Sequence, residues 1–225
     1  MKKVVVAVTE KTNKFNKNFT MSLLSTVKEC FDNDIELFFD FSGEEITEYM
    51  SKNLVCNRVL NSEKIDGVVF LDPNLQWEPK TLIDIINHEE DIVSGVYPLP
   101  DPNQEKYVVS LKEGYDVNAK YIDSNRLQPG ACYVSKEALV KISEICKFYG
   151  DKEFFFFFMP DFVDGVYITS DDAFFGLASK LDIKLNLNPH SSFINTGEVH
   201  YSGDFLKTIS NNWVEDSFTE ENIIK

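Results

Sequence analysis

The sequence predicts an α/β fold: a mostly parallel central sheet with helices on both faces and a small antiparallel part. Three observations carry this reading. Apolar, largely β-branched runs without strict polar alternation recur along the chain, as strands buried on both faces require. Segments with apolar residues at helical spacing stand between them. One run, Val68-Val69-Phe70-Leu71, stops at Asp72-Pro73-Asn74, which puts a carboxylate at a carboxyl strand end, where open α/β sheets bind ligands.

The elements follow in order. Lys2 to Val8 is the first strand, ending in the polar loop Thr9-Glu10-Lys11-Thr12-Asn13. Phe19 to Phe31 carries Met21, Leu23, Leu24, Val27, Cys30 and Phe31 at helical spacing and reads as a crossover helix. Ile35 to Phe41 is a second strand, and a helix starting near Ser42-Gly43-Glu44-Glu45 and running to about Leu60 returns the chain to the Asp72 strand. Pro73 bars that strand from continuing, and Asn74 adds a second oxygen ligand to its loop. This β-α-β-α-β order is Rossmann-like and points to nucleotide binding.

Glu78-Pro79 opens the next helix, with Leu82, Ile83, Ile85 and Ile86 as its apolar face, and Asp91 to Val96 is a further strand. The Pro-rich segment Tyr97 to Pro102 divides residues 1–100, a donor half, from residues 101–212, an acceptor-side half; 213–225 is a polar tail. Tyr107 to Leu111 and Ala119 to Ile122 read as short strands of an antiparallel insertion. Gln128-Pro129-Gly130 turns into a strand ending at Val134, and a helix from Ser135 runs to about Phe148. Phe154 to Phe158 is five phenylalanines in a row, a buried plug or an aromatic wall beside a ligand. Ser170 reads as the N-cap of a helix with Asp171 and Asp172 in its first turn. Ile183 to Leu187 is a last strand, and Ser192 to Phe205 a loop folding back over the sheet.

Composition narrows the function. A net charge of −15 over 225 residues argues against nucleic acid as a partner, because phosphate contacts need clustered Lys and Arg. Hydrophobic residues at 43% and charged residues at 26% fit a globular protein. Cys30, Cys56, Cys132 and Cys146 form no CxxC pair, so buried thiols in a reducing compartment are expected rather than zinc or disulfides. The run Val4 to Val8 is too short for a membrane span or signal region, and a cytoplasmic protein without a transmembrane segment is the expectation.

Three spots hold chemistry: Asp72 with Asn74, Asp171 with Asp172, and the segment of Asn195 and His200. Oxygen ligands, sometimes with an imidazole, suit a hard divalent cation bridging a diphosphate. The paired acids suit a general base. Each also has a structural reading: Asp72 capping its loop, Asp171 and Asp172 capping their helix, His200 packing on a surface. Arg58 and Lys64, just before the Asp72 strand, are either diphosphate ligands or solvated cations.

In order, Asn57-Arg58, the strand ending at Asp72-Pro73-Asn74, Asp91 to Pro98, Gly130-Ala131-Cys132, Ser170 to Phe175, Asn195-Thr196-Gly197 and Tyr201 to Phe205 resemble the nucleotide-sugar-dependent glycosyltransferases of the GT-A fold, nearest to small bacterial and large-DNA-virus members, including those that decorate capsid glycans. The resemblance implies a hexosyltransferase that moves a sugar from a nucleoside-diphosphate sugar, a UDP-sugar in the first instance, to a glycan or protein-linked acceptor. It implies that Asp72 and Asn74 bind the ribose, diphosphate and a Mn2+ or Mg2+ ion, that Asp172 or else Asp171 is the base, and that Thr9 and Glu10 lie at the nucleotide. Two departures stand out: Asn74 replaces the second Asp of the motif, and Asn195 stands where many members place a metal-binding His. A neutral amide is a weaker ligand than a carboxylate, so either His200 substitutes, or the diphosphate holds most of the metal, or Arg58 or Lys64 replaces it. The alternatives are a relative that binds nucleotide or glycan without turnover, and a nucleotidyltransferase, whose Gly-rich loop is missing from Thr9 to Asn13.

Overall fold

The computed structural model describes residues 1–9, 15–41, 47–101, 105–151, 153–196 and 200–210. The first half builds β1 (Lys2–Ala7), α1 (Lys17–Asp32), β2 (Ile35–Asp40), α2 (Glu48–Asn61), β3 (Gly67–Leu71), β4 (Leu75–Gln76), α3 (Pro79–Ile86) and β5 (Ile92–Ser94). Then come β6 (Ser110–Leu111), β7 (Ile122–Arg126), β8 (Ala131–Ser135), α4 (Lys136–Ser143), β9 (Lys147–Tyr149) and β10 (Phe154–Phe156). The last are β11 (Asp161–Val163), β12 (Val166–Ile168), α5 (Ser170–Lys180), β13 (Leu185–Leu187), β14 (Ile194–Thr196), β15 (His200–Tyr201) and α6 (Phe205–Ser210).

One eight-stranded sheet, in the order β2-β1-β3-β8-β5-β13-β7-β6, is the frame. Strands β2, β1 and β3 run parallel, as do β5 and β13, while β8 lies antiparallel between β3 and β5. The halves on either side of residue 100 therefore share this sheet. All five residues of β3 are buried, which is why its sequence shows no polar alternation. One face packs under α2, α4 and α5 around Val68, Phe70, Val134, Leu139 and Phe174; the other packs under α1 and α3 around Val69, Tyr133, Leu82 and Phe193. Among the described residues no helix is long and apolar enough to cross a membrane.

Several local expectations change. Strands β6 and β7 pair with each other but join the edge of the main sheet instead of forming an insertion. Helix α4 ends at Ser143, after which Lys147 to Tyr149 becomes a strand paired with β10. In α1 the buried face is Phe19, Ser22, Thr26 and Cys30, whereas Met21, Leu24, Val27 and Phe31 are exposed. Trp77 decides this: its backbone N–H donates to Ser22 Oγ (3.0 Å) and its indole N–H to Thr26 Oγ1 (2.9 Å), so two hydroxyls must face inward. The start expected for α2 at Ser42 to Glu45 lies outside the described residues; the helix itself begins at Glu48. The tail 213–225 also lies outside them.

The five phenylalanines divide between their two readings. Phe154 to Phe156 form the half-buried β10, while Phe157 and Phe158 are buried, with Phe158 stacked on Phe174 at 4.4 Å. The segment is held from α2. Asn53 Nδ2 donates to the Phe158 carbonyl (2.9 Å) and the Phe158 N–H donates to Asn53 Oδ1 (2.8 Å). Asn57 treats Phe155 likewise, at 2.8 and 2.9 Å. Two amides one helical turn apart thus stand in for a strand partner.

Candidate active site

The end of β3 is fixed by its own carboxylate. Asp72 Oδ1 accepts the Asn74 N–H at 2.7 Å, an Asx turn that stops the strand together with Pro73. The Asp72 N–H donates to the Gly130 carbonyl (2.8 Å), carrying the β3–β8 ladder one residue further. Gly130 has no side chain for a reason. A Cβ there would press on Tyr97 Oη and come within 3.0 Å of the Asp72 Cβ.

Asp72 lines a small cleft of about 50 Å³ with Thr9, Glu48, Lys52, Phe70, Leu71, Tyr97, Pro129 and Gly130. Thr9 comes from the end of β1, as its position in the sequence implies. Glu10 lies outside the described residues. Lys52, one turn into α2 and 3% exposed, is the cation of this cleft among the described residues. Its ammonium meets Glu48 at 2.6 Å and Asp171 at 2.8 Å. Burial alone would lower the pKa of Lys52, but the Asp171 and Glu48 charges outweigh it and hold the group above the ordinary lysine value. Beneath it, burial and then the Asp171 charge push the Cys132 thiol up to about 12, against the opposing pull of Lys52.

Helix α5 divides its two acids. Its N-cap is Thr169, one residue before the expected Ser170, with Thr169 Oγ1 accepting the Asp172 N–H at 3.2 Å. Thr169 in turn donates to Asp172 Oδ2 (2.6 Å), closing the reciprocal cap. Asp171 turns toward Lys52 and the Asp72 cleft. Asp172 has a different partner, pairing its Oδ1 with Arg126 Nε at the end of β7, at 2.7 Å. It also joins the wall of a larger cavity of about 490 Å³ with Phe157, Met159, Ile168, Gly176 and Leu177.

The C-terminal segment closes on the Asp72 loop. Strands β4, β14 and β15 form a three-stranded sheet in which Asn195 sits opposite Leu75. The Thr196 N–H and Oγ1 both donate to the Asn74 carbonyl, at 2.6 and 2.8 Å. Asn74 and Asn195 are therefore brought to one place, and Asn195 Nδ2 reaches the Pro98 carbonyl at 3.5 Å. His200 pairs opposite Thr196 on β15; its side chain is outside the described set. Arg58 is not brought to the cleft. It lies further along α2 in an ion pair with Asp40. Lys64 follows that helix and is exposed.

Sequence reading overlooked Lys52 and Arg126. A trace of Lys52 was present: α2 buries Ser51, Lys52, Asn53 and Asn57, a polar set where a scaffold helix would show an apolar stripe. Arg126 ends a strand of mixed polarity and left no such trace.

Asp72 and Asn74 offer oxygen donors on one loop, and among the described residues the Lys52 ammonium is outnumbered by the carboxylates of Glu48, Asp72 and Asp171. Among the described residues no group of three or more His, Cys, Asp or Glu side chains is placed to hold an ion. The donor set fits a divalent cation only as a partial shell that a diphosphate would complete.

No protein-family model matches the chain, and no curated protein matches it in sequence. Solved structures do match in fold. A197 from STIV superposes with a TM-score of 0.51 at 16% identity, covering 87% of this chain and 85% of that one. GalNAc-T7, solved with UDP, GalNAc and Mn2+, gives 0.49 at 9% identity, covering 85% of this chain and 42% of that one. S. aureus TarS gives 0.46 at 14%, covering 99% and 68%. With its sheet order and this likeness, the chain has a GT-A type fold.

Proposed function

We propose that this chain is a glycosyltransferase that moves a sugar from a nucleoside-diphosphate sugar, a UDP-sugar in the first instance, to a hydroxyl of a glycan or protein-linked acceptor. The observation that carries the reading is the cleft at the carboxyl ends of β1 and β3, where Thr9, Asp72 and Lys52 meet and Lys52 holds the acidic N-terminus of α5 against them. Residues 1–100 are the donor half and 101–212 the acceptor half.

In this reading the Asp72 loop orients the donor by its carboxylate and by the Asn74 amide. Asp72 and Asn74 would hold a Mn2+ or Mg2+ ion there, whose positive charge would offset that of the leaving group. Lys52, whose charge is met by Glu48 and Asp171, fixes the first turn of α5 at the same end and so sets where the donor sits. Asp172 takes the proton of the acceptor hydroxyl in an inverting transfer, its carboxylate aimed by Arg126 and Thr169. The oxygen facing Arg126 and the one that accepts from Thr169 each keep a lone pair for that proton.

The test is nucleoside-diphosphate release from a panel of UDP-, GDP-, CDP- and dTDP-sugars with mixed glycan acceptors. The wild type should turn over one donor class, and Asp72→Asn and Asp172→Asn, still folded, should lose most of that activity. Full activity in both variants would sink the assignment; binding without release across the panel would favour a non-catalytic relative.

A further inference from the structure

A cleft separate from the site already described lies between α3 and the segment that leaves β13. Its volume is about 240 Å³, and it shares no lining residue with the Asp72 cleft. Thr81 and Asn188, 7% and 6% exposed, are its most buried members, with Asp84 and Ser191 half-buried beside them. Glu78, Lys80, Lys120, His190 and Ser192 are its exposed members. Every one of these side chains can hydrogen-bond, and none is apolar.

Hydrogen bonds fix the segment after β13 in place. The Asn188 N–H donates to the Ser94 carbonyl (2.8 Å), and the His190 N–H donates to Asn188 Oδ1 (3.0 Å). Ser191 Oγ donates to the Asn188 carbonyl (2.8 Å) and accepts the Val96 N–H (2.7 Å). Across the cleft, Ser192 Oγ meets Thr81 Oγ1 of α3 at 3.1 Å. One group is left over. Among the described residues Asn188 Nδ2 takes no protein partner, although its residue is more than nine-tenths buried. An amide donor so placed asks for an acceptor from outside the chain.

The charges narrow what that acceptor belongs to. Glu78, Asp84, Lys80 and Lys120 line one cleft, yet among the described residues none of the four is in an ion pair. Two carboxylates beside two ammoniums give a free anion or a cation as much repulsion as attraction. An apolar body would strand the lining groups without partners. A small zwitterion would match the charges and leave the Asn188 amide and the three hydroxyls unused. A ring of hydroxyls matches the whole set, because each hydroxyl accepts from an ammonium or amide and donates to a carboxylate. The volume falls just below the roughly 300–1,000 Å³ of sites for drug-sized ligands, which suits a single ring.

We infer that this cleft is a second binding site, for one neutral sugar unit, built on α3 where the Asp72 cleft is built on α2. It stands apart from the transferase reading, since it holds a glycan whether or not the Asp72 cleft turns one over.

The probes are the methyl glycosides of glucose, galactose, mannose and N-acetylglucosamine, with glycine and inorganic phosphate as charged competitors. Each is titrated into the 15N-labelled full chain. At least one glycoside should shift the Asn188 side-chain amide saturably, and neither charged probe should. The double variant Lys80→Ala with Asp84→Ala breaks no ion pair and keeps the charges of the cleft balanced. It should weaken glycoside binding by roughly tenfold or more, the worth of a hydrogen bond to a charged group. A silent Asn188 amide with all four glycosides, an equal response to glycine or phosphate, or binding unaltered in the double variant would overturn the inference. Nucleotide binding with a silent α3 cleft would sink this inference alone. Glycoside binding by a chain that binds no nucleotide would sink the transferase reading and leave this site standing.

Discussion

Lys52 Nζ lies 2.8 Å from Asp171 Oδ1, and that contact joins α2 to the first turn of α5 across the carboxyl end of the sheet. The buried lysine is shared by Asp171 and Glu48, so the arrangement is asymmetric: losing Lys52 unpairs two carboxylates, whereas losing one carboxylate leaves the other on the ammonium.

Lys52→Met should cost about 3 kcal/mol, because it leaves Asp171 and Glu48 facing each other without the ammonium between them. Asp171→Asn should cost about 1 kcal/mol, since Glu48 still pairs Lys52 and the amide oxygen still accepts. Urea midpoints at unchanged slope measure both. Equal midpoints for the two variants would contradict the asymmetry.

Gly130→Ala should disturb the site more than the fold. The added methyl pushes Tyr97 and the Asp72 Cβ apart at a cost of about 1–3 kcal/mol. Nucleotide affinity should drop further than the melting temperature suggests, and an unchanged nucleotide affinity would show that the Asp72 position is not critical.

Asn53→Ala should remove about 2–4 kcal/mol, because the Phe158 N–H and C=O both lose their buried partner. Asn53→Asp should be at least as damaging, since it replaces the donor to the Phe158 carbonyl with a second acceptor. Chemical denaturation of the two variants checks this, and a near-neutral Asn53→Asp would refute the paired-amide account.

All four cysteines are free and buried. Burial pushes Cys30 and Cys146 up to about 11 and Cys132 up to about 12, and raises Cys56 as well. The native protein at pH 8 should therefore resist a thiol-reactive dye that counts four groups after denaturation. Stability should also fall as pH rises. Above about 9, where an exposed thiol ionises, the unfolded chain releases protons that the folded one keeps until 11 to 12. Changing all four to Ser or Ala as packing permits should flatten that alkaline slope.

The first half of the fold was legible because both-face burial leaves its mark residue by residue: β3 reads as an uninterrupted apolar run, and Asp72-Pro73 ends it. The antiparallel placement of β8 between β3 and β5 left no such mark, since pairing between strands so distant in sequence is a property of the assembled sheet. The α5 cap shifted by one residue because Thr169 and Ser170 are both good caps and only backbone geometry chooses between them. Asp171 and Asp172 were legible as a pair but not as a divided one. Their separation depends on Lys52 and Arg126, which reach α5 from elements distant in sequence. The burial of Lys52 was readable only as an oddly polar helix face.

The most direct test of the central claim is a thermal-shift panel of UDP, GDP, CDP and dTDP with their sugars, each with and without Mn2+, on wild type and Lys52→Met. A ligand that binds only the folded chain raises its melting temperature in proportion to the logarithm of concentration over Kd. A rise is expected with one nucleotide class, larger with Mn2+ and reduced in Lys52→Met measured against its own baseline. No rise with any nucleotide in the wild type would contradict it.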